Sequence, residues 1–119
     1  RYVPLQYQHC YIDLRIGFDA YRRKFSSKTR ATILRKVKRF QDHGGGRLEW
    51  RAYRTPDELV SFHRLAREVS AKTYQERLLD AGIPADQPFV SEMLRLAASD
   101  SVRAYLLFDR GTPVSYLYC

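Results

Sequence analysis

A dense run of positive charge is the feature of this sequence that most directly suggests chemistry. Nine lysines and arginines, and no acidic residue, lie between Arg22 and Gln41. The rest of the chain carries 12 basic against 13 acidic residues, so the net charge of +8 comes from this segment. Concentrated charge attracts anions such as phosphate, nucleotides, nucleic acid or an anionic envelope surface. Six of these residues are candidate anion-binding residues: Lys28, Arg30, Arg35, Lys36, Lys38 and Arg39.

The same charge also fits a helix face that is simply solvated, or paired with carboxylates elsewhere in the fold. Both interpretations predict an exposed helix, and they differ in whether an anion binds there. Gly44, Gly45 and Gly46 follow the basic run, but phosphate-binding loops place their glycines between a strand and a following helix. Here the order is helix, glycines, strand. The glycines therefore predict a helix C-cap and hinge, because glycine readily adopts the left-handed conformation that ends helices.

No other combination of residue types forms a recognisable catalytic or metal-binding motif. His63 and Ser70 lie on one predicted helix without a third partner for a catalytic triad, so a surface or satisfied histidine is expected. His9 and Cys10 could be half of a metal site, but nothing nearby supplies further ligands, and no metal is expected. The sequence has two cysteines, Cys10 and Cys119, at opposite ends. This usage favours a reducing, cytoplasmic setting.

The basic residues need a helix to position them. Ser26 or Ser27 provides an N-cap for that helix. Its apolar residues recur at helical spacing and form one stripe. Residues 48–53 then alternate with a period of two, which predicts a half-buried strand with Trp50 as its large contribution to the core. Short extended pieces are predicted within residues 1–14. The apolar stripe of the basic helix contains Ile33, Leu34, Val37 and Phe40.

Two further helices are predicted after this strand. Thr55, Pro56 and Glu58 combine a capping box with a proline in the first turn, which predicts a helix start. This helix is expected to run to about Asp80, and a shorter helix is expected to open at Pro88. The lone methionine of the shorter helix, Met93, is expected in the core. The buried stripe of the longer helix is predicted to contain Leu59, Phe62, Leu65, Ala66 and Val69.

A hairpin is predicted at the end of the chain. Residues 101–108 and 114–118 read as strands, and the segment Asp109–Thr112 between them reads as a turn. Neither strand has a clearly polar face, so both faces of the hairpin are expected to be covered. The domain organisation predicted from these elements is a lead-in with the basic helix in residues 1–46, followed by a strand, two helices and the hairpin in residues 47–119.

This order of elements resembles the beginning of the GNAT acyltransferase fold. The segments S-K-T-R at 27–30 and L-R-K at 34–36, followed by a glycine-bounded strand, are similar to bacterial acetyltransferase-like proteins of the cellulose-biosynthesis type. They also resemble FemAB-type aminoacyl transferases, in which a Lys/Arg-rich helix precedes the first strand. Residues 108–115 look like that family's second-to-third-strand hairpin. The resemblance covers about residues 11–119. It implies an α+β fold, the first half of a GNAT domain, with helices packed on a mixed or antiparallel sheet.

The resemblance implies transfer of an acyl group from acetyl-CoA or another acyl-CoA, or of an aminoacyl group. The acceptor would be an amine or hydroxyl of a small molecule or a cell-envelope precursor. In that fold, backbone amides after the fourth strand hold the donor's pyrophosphate and polarise its carbonyl. This sequence stops at the third strand, so we expect an N-terminal part that is inactive alone, binds no cofactor and carries no assignable catalytic residue. Candidate acceptor-groove residues, in residues 73–88 and the hairpin, are Tyr74, Tyr105 and Tyr116, with Asp109 as a further one.

Two other functions stay open on the sequence alone. A nucleic-acid- or polyanion-binding module would use the basic helix, although no RRM, zinc-finger or OB signature is present. A domain that kept the fold without its chemistry would serve as a binding module. The last predicted strand leaves an open sheet edge, through which a homodimer could form. No run of about 18 apolar residues occurs, so no transmembrane segment is expected.

Overall fold

The computed structural model describes residues 13–79 and 82–119. The chain divides into two compact units, Arg1–Phe40 and Gln41–Cys119. The His9–Cys10 pair and most of the extended pieces predicted within residues 1–14 lie outside the described residues. At Leu14 the prediction of extended backbone is wrong, because a 3-10 turn begins there.

The first unit contains a short 3-10 turn followed by two α-helices. The turn spans Leu14–Ile16, helix α1 spans Gly17–Arg23, and helix α2 spans Ser27–His43, which extends three residues into the second unit. Ser26 Oγ accepts a hydrogen bond from the backbone N–H of Thr29 at 3.1 Å, which confirms a serine N-cap for the basic helix. Neither helix contains a fully buried residue.

The glycine triplet ends α2 as the sequence predicts. Gly45 and Gly46 have φ angles of 73° and 86°, in the left-handed region that favours glycine. The backbone N–H of Gly46 donates to the carbonyl of Gln41 at 2.9 Å, and the Gln41 side-chain amide donates back to the Gly46 carbonyl at 2.9 Å. These bonds satisfy groups that the end of the helix would otherwise leave unpaired, so the glycines act as a C-cap.

The second unit is built on a three-stranded antiparallel sheet in the order β1-β2-β3. Strand β1 spans Glu49–Tyr53, β2 spans Ala104–Asp109, and β3 spans Thr112–Tyr118. Arg110 and Gly111 connect β2 to β3 with φ angles of 48° and 79°. Two positive φ angles in a two-residue turn match the twist of a hairpin. The strand order places this hairpin beside β1 in one sheet, as the resemblance requires.

Three helices follow β1 before the hairpin begins. They are α3 at Pro56–Ser70, α4 at Tyr74–Leu79 and α5 at Gln87–Ala98. The predicted capping box at the start of α3 is confirmed. The Glu58 N–H donates to the hydroxyl of Thr55 at 3.4 Å, and the Glu58 carboxylate accepts from the Thr55 N–H at 3.0 Å. This reciprocal pair satisfies two backbone donors at the helix start.

Helix α3 is shorter than the sequence indicates. The prediction that one helix continues to about residue 80 is wrong, because α3 ends at Ser70 and α4 begins separately after Thr73. The Thr73 hydroxyl donates to the Ser70 carbonyl at 2.7 Å and accepts from the Glu76 N–H at 3.3 Å. A short polar side chain that bonds the backbone in this way competes with continued helical bonding. Thr73 thereby caps α4.

The core lies between α3, α5 and one face of the sheet. Phe62 has no exposed surface, and the rings of Tyr53, Tyr116 and Tyr118 lie within 6.4 Å of its ring centroid. Met93 is fully buried, as predicted. The predicted stripe of α3 is largely confirmed, because four of its five residues are buried and the fifth, Leu65, is partly buried. The buried members of that stripe are Leu59, Phe62, Ala66 and Val69.

The opposite face of the sheet is open, contrary to the expectation that both faces are covered. Trp50 and Leu117 are each 57% exposed on this face, and Tyr105 lies beside Trp50 with their ring centroids 6.0 Å apart. The pairing register explains why Trp50 is not in the core. Tyr53 pairs with Ala104, which is buried under the helices, so Tyr53 faces the core and Trp50 faces away.

Helix α2 has 17 residues and is the longest helix that the structure describes. Among the described helices, none combines the length and the apolar content that a membrane crossing requires.

Candidate functional site

A polar cleft of about 430 Å³ lies where the end of α3 meets α4 and the loop before α5. Arg67, Glu76 and the loop segment Gly82–Asp86 line it. This is the region, residues 73–88, in which the sequence predicts one wall of an acceptor groove. Its charged lining residues are Arg67, Glu76 and Asp86, and the Asp86 carboxylate caps α5 by accepting a hydrogen bond from the Phe89 N–H at 3.0 Å.

Arg67 and Glu76 form a two-bond ion pair at the wall of the cleft. The Arg67 guanidinium donates to Glu76 Oε2 at 2.9 Å through Nη1 and to Oε1 at 2.6 Å through Nη2. Nη1 also donates to the carbonyl of Ile83 at 2.6 Å. The Glu76 side chain is 17% exposed, so water screens this pair less than it screens a surface pair. The pair ties α3, α4 and the loop together and leaves no unbalanced positive charge in the cleft.

Ser70 connects this ion pair to the sheet. Its hydroxyl is fully buried and accepts hydrogen bonds from the Ile83 N–H at 3.1 Å and from the Tyr116 hydroxyl at 3.3 Å. It also hydrogen-bonds the carboxylate of Glu76. A serine hydroxyl has one donor and two acceptor positions. Both acceptor positions are therefore used, which leaves the O–H to donate to Glu76, and polar groups extend from β3 to the cleft.

The environment of Glu76 keeps it ionised. The hydrogen bond from Ser70, and then the bonds from Arg67, hold the pKa of the Glu76 carboxyl below its ordinary value. Hydrogen bonds to the charged form of an acid always act in this direction. A carboxylate with a lowered pKa is a weak base, so Glu76 is poorly suited to general-base catalysis at neutral pH. It is well suited to accept hydrogen bonds from an amine or a hydroxyl.

The structure does not bring the predicted acceptor-groove residues together. Tyr74 is exposed on α4, and Tyr105 lies on the open face of the sheet. Tyr116 faces the helices and reaches the cleft through Ser70. Tyr105 and Tyr116 are on opposite faces because they occupy alternating positions of paired strands. Asp109 lies at the start of the hairpin turn, away from the residues that line the cleft.

The six candidate anion-binding residues divide into two groups. Arg30 is half-buried and donates to the carbonyl of Phe25 at 3.0 Å and to Ser27 Oγ at 3.3 Å, so its guanidinium holds the turn between α1 and α2. The remaining five project from α2 into solvent. These exposed residues are Lys28, Arg35, Lys36, Lys38 and Arg39.

No carboxylate within residues 13–40 balances these five positive charges. That segment contains two acidic residues, and each is already paired with an arginine. Asp13 lies 2.9 Å from Arg15, and Asp19 lies 3.6 Å from Arg22. The exposed side of α2 is therefore strongly positive within its own unit.

His63 has the ordinary role that the sequence favours. Its Nε2 lies 2.8 Å from the carbonyl oxygen of Pro84, so Nε2 carries the proton and donates it to that bond. The imidazole also lies against the ring of Phe89, with centroids 6.0 Å apart. Across the described ranges 13–79 and 82–119, no three His, Cys, Asp or Glu side chains are grouped so that they could hold a metal ion.

Sequence reasoning missed Arg67, Ser70, Glu76 and Gly82 as members of a site. A signal for Ser70 was available, because it continues the apolar stripe of α3 at helical spacing. A polar residue on a buried stripe predicts a hydroxyl with hydrogen-bond partners. Nothing comparable marked Glu76, because the break between α3 and α4 is not visible in the apolar periodicity.

Comparison with known families agrees with this architecture. The family model of the acetyltransferase (GNAT) domain matches residues 27–119, which include α2, the sheet and the cleft. No curated protein and no solved structure matches the chain. Helices packed on one face of an antiparallel three-stranded sheet are also the α+β arrangement of a partial GNAT fold. Because this match covers most of the chain, the chain belongs to the GNAT acetyltransferase family.

Proposed function

We propose that this chain forms the acceptor side of an acyltransferase that moves an acyl group from acetyl-CoA or another acyl-CoA to an amine or a hydroxyl. Membership of the GNAT family supports the transfer and the class of donor. One observation carries the choice of acceptor. It is the ionised carboxylate of Glu76, held by Ser70 and Arg67 at the wall of the cleft.

Glu76 has capacity left for an acceptor molecule. Each of its oxygens accepts one hydrogen bond from Arg67, the Ser70 hydroxyl takes a third position, and a carboxylate offers about four. A hydroxyl or a neutral amine that enters the cleft can therefore donate to Glu76. Such a bond would fix the direction of the nucleophilic atom, and positioning of this kind makes a large contribution to transfer reactions. We assign no general base, because the lowered pKa of Glu76 argues against that role.

The cleft does not fit the donor's pyrophosphate. Arg67 is the one cationic side chain that lines it, and Glu76 already neutralises that charge. The family holds its donor with backbone amides that follow a fourth strand, whereas the described sheet has three strands. We therefore propose that the donor does not bind in the cleft. We also propose that the 119-residue chain alone transfers no acyl group.

Several finer points of the function are part of the same proposal. An acceptor with amine or hydroxyl groups could be a small molecule or a cell-envelope precursor, as in the cellulose-biosynthesis type of the family, at a cytoplasmic location. Strand β3 has no partner on its outer side among the described strands. An open edge of this kind supports pairing with a second copy in a homodimer.

A transfer assay tests the proposal. The complete gene product, whatever its length, is mixed with acetyl-CoA and with ethanolamine, glucosamine or glycerol as probe acceptors, and release of the CoA thiol is followed. The Glu76→Gln variant should raise the KM for the acceptor about tenfold or more, since it removes a charge-assisted hydrogen bond, and should leave the KM for acetyl-CoA unchanged.

Glu92→Gln is the matched control for this assay. Glu92 lies on α5 and is also paired with an arginine, Arg95, but its side chain is exposed and does not line the cleft. Its variant should behave as the wild type. Equal kinetics for the two variants would reject the cleft as the acceptor site. Absence of thiol release with every probe would reject the transfer activity.

A binding module for polyanions is the second candidate, and the five exposed basic residues of α2 support it. It predicts binding to DNA or RNA that weakens steeply with salt. Lack of binding to nucleic acid at low salt would exclude it. A GNAT-like domain without chemistry is distinguished by the assay above, because it would bind ligands without releasing thiol.

A further inference from the structure

Residues 13–40, the described part of the first unit, leave an apolar stripe exposed. Ile33, Leu34 and Val37 lie along one side of α2, and the side chain of Leu34 is 62% exposed. Phe18 of α1 is 73% exposed and extends the same apolar surface. Between the two helices lies a groove of about 610 Å³. Its apolar lining consists of Phe18, Tyr21, Phe25, Ile33 and Leu34. Exposed contiguous apolar surface commonly marks an interaction site.

Basic side chains surround this apolar stripe on α2. At 3.6 residues per turn, Lys36 and Lys38 fall at the two margins of the stripe, and Arg35 and Arg39 fall on the opposite side of the helix. Lysines at the margin of an apolar face can lay their carbon chains along it while the ammonium groups reach a polar layer. The arrangement therefore offers an apolar surface and a positive charge to one partner.

We propose that α1 and α2 bind the surface of an anionic lipid bilayer. The apolar stripe would enter the boundary between headgroups and acyl chains, and the two marginal lysines would contact the headgroups. A large polar face rich in Lys and Arg, an apolar stripe and a low mean hydropathy are typical of helices that lie in this boundary. This inference concerns the first unit and does not depend on the proposed acyltransferase function.

Charge complementarity favours a bilayer over the other partners. An acidic peptide helix on the stripe would pair with Lys36 and Lys38 and leave Arg35 and Arg39 unused. An anionic bilayer attracts every basic residue that lies within a Debye length of its surface. Nucleic acid would use the basic residues but has no need of an exposed apolar stripe. A bilayer is the partner that uses both features of α2.

Flotation with lipid vesicles tests the proposal. The chain should bind vesicles made of equal parts phosphatidylglycerol and phosphatidylcholine, and should bind pure phosphatidylcholine vesicles far more weakly. Combining Lys36→Gln with Lys38→Gln should lower the partition coefficient about 25-fold, because each basic residue near an anionic surface contributes about fivefold. Combining Phe18→Ser with Leu34→Ser should lower it about tenfold or more.

One control removes the same charge elsewhere in the chain, and a second checks that the apolar variants still fold. Combining Lys72→Gln with Arg77→Gln removes the same charge from exposed positions of the second unit, and binding should stay close to that of the wild type. Phe18 and Leu34 are exposed, so their variants should keep the wild-type helical circular dichroism.

Three results would overturn the proposal. The first is equal binding to anionic and neutral vesicles, or none to either. The second is binding that the lysine variant weakens and the Phe18/Leu34 variant does not, which would indicate a surface for polyanions such as nucleic acid. The third is a stable dimer by light scattering that the Phe18/Leu34 variant dissociates, which would indicate that a second copy covers the stripe.

Discussion

Gly82 lies against the carboxylate of Glu76, with no space for a side chain between them. A Cβ atom at position 82 would lie 2.7 Å from Glu76 Cδ and 2.5 Å from Ser70 Oγ. Gly82 is not among the glycines with positive φ, so lack of space, and not backbone conformation, requires glycine here. The loop that closes the cleft is thus fitted directly to the ion pair beneath it.

Gly82→Ala should destabilise the second unit by about 1–3 kcal/mol, because the added methyl group must push the Glu76 carboxylate away from Arg67. Urea unfolding followed by circular dichroism measures this cost. The same substitution in a Glu76→Ala background should cost less, since most of the overlapping atoms are then gone. An equal cost in both backgrounds would mean that Gly82 does not act through Glu76.

The ion pair of Glu76 should make stability depend on pH in acid. The carboxyl has a pKa below its ordinary value of 4.5 in the folded protein, so the unfolded chain takes up its proton first as the pH falls. The stabilisation is therefore complete above pH 4.5 and is lost as the pH falls through the lower, folded pKa. The gap in urea midpoint between wild type and Glu76→Gln should be constant near neutrality and should narrow below about pH 4.5.

Glu92→Gln provides the comparison for this pH profile. Its pKa is also lowered, first by Arg95, but its ion pair is exposed to solvent and should contribute little to stability. A gap for Glu76→Gln that does not change down to pH 3, or one no larger than that of Glu92→Gln, would count against a stabilising role of the cleft pair.

Phe62→Ala should cost about 3–5 kcal/mol of unfolding free energy, the usual range for removing a fully buried phenylalanine. Its ring lies at the centre of the aromatic core between α3 and the sheet. Phe18→Ala is the matched control, because Phe18 is largely exposed and its loss should change stability by about 0.5 kcal/mol or less. Thermal or urea unfolding distinguishes them, and similar costs would show that the core is misassigned.

Trp50, the one tryptophan of the chain, should behave as a hydrated side chain. Its fluorescence should have the long-wavelength maximum of an indole in water, and acrylamide should quench it readily. A blue-shifted, protected emission from the chain would show instead that its face of the sheet is covered. If the face is open, Trp50→Gln should destabilise the protein by about 0.5 kcal/mol or less. If the face is covered, the same substitution should cost well over about 0.5 kcal/mol.

Local signals in the sequence predicted several starts and ends of elements, although they did not predict the end of α3. The capping box of Thr55 and Glu58, the serine cap of α2 and the glycine end of that helix each depend on residues within a few positions of one another. The hairpin turn at Arg110 and Gly111 is local in the same sense. Such features are decided by neighbouring backbone groups, so a single sequence contains most of the information that fixes them.

Features that depend on distant contacts were not predictable in this way. Both faces of β1 carry large apolar or aromatic residues, and only its pairing with β2 decides that Tyr53 faces the core while Trp50 does not. The cleft likewise joins Ser70 to Tyr116, which are separated by 46 positions in the chain. Apolar periodicity carries no information on which polar groups meet across such distances.

A calorimetric titration of acetyl-CoA tests the central claim most directly. The complete gene product and the 119-residue chain are titrated side by side under the same conditions. We predict saturable binding to the complete product and none to the chain alone, because we propose that the cleft forms the acceptor side, and its described lining does not fit the donor's pyrophosphate. Absence of binding to the complete product would contradict the acyl-CoA transferase assignment. Equally tight binding to the chain alone would contradict the division of acceptor and donor sites.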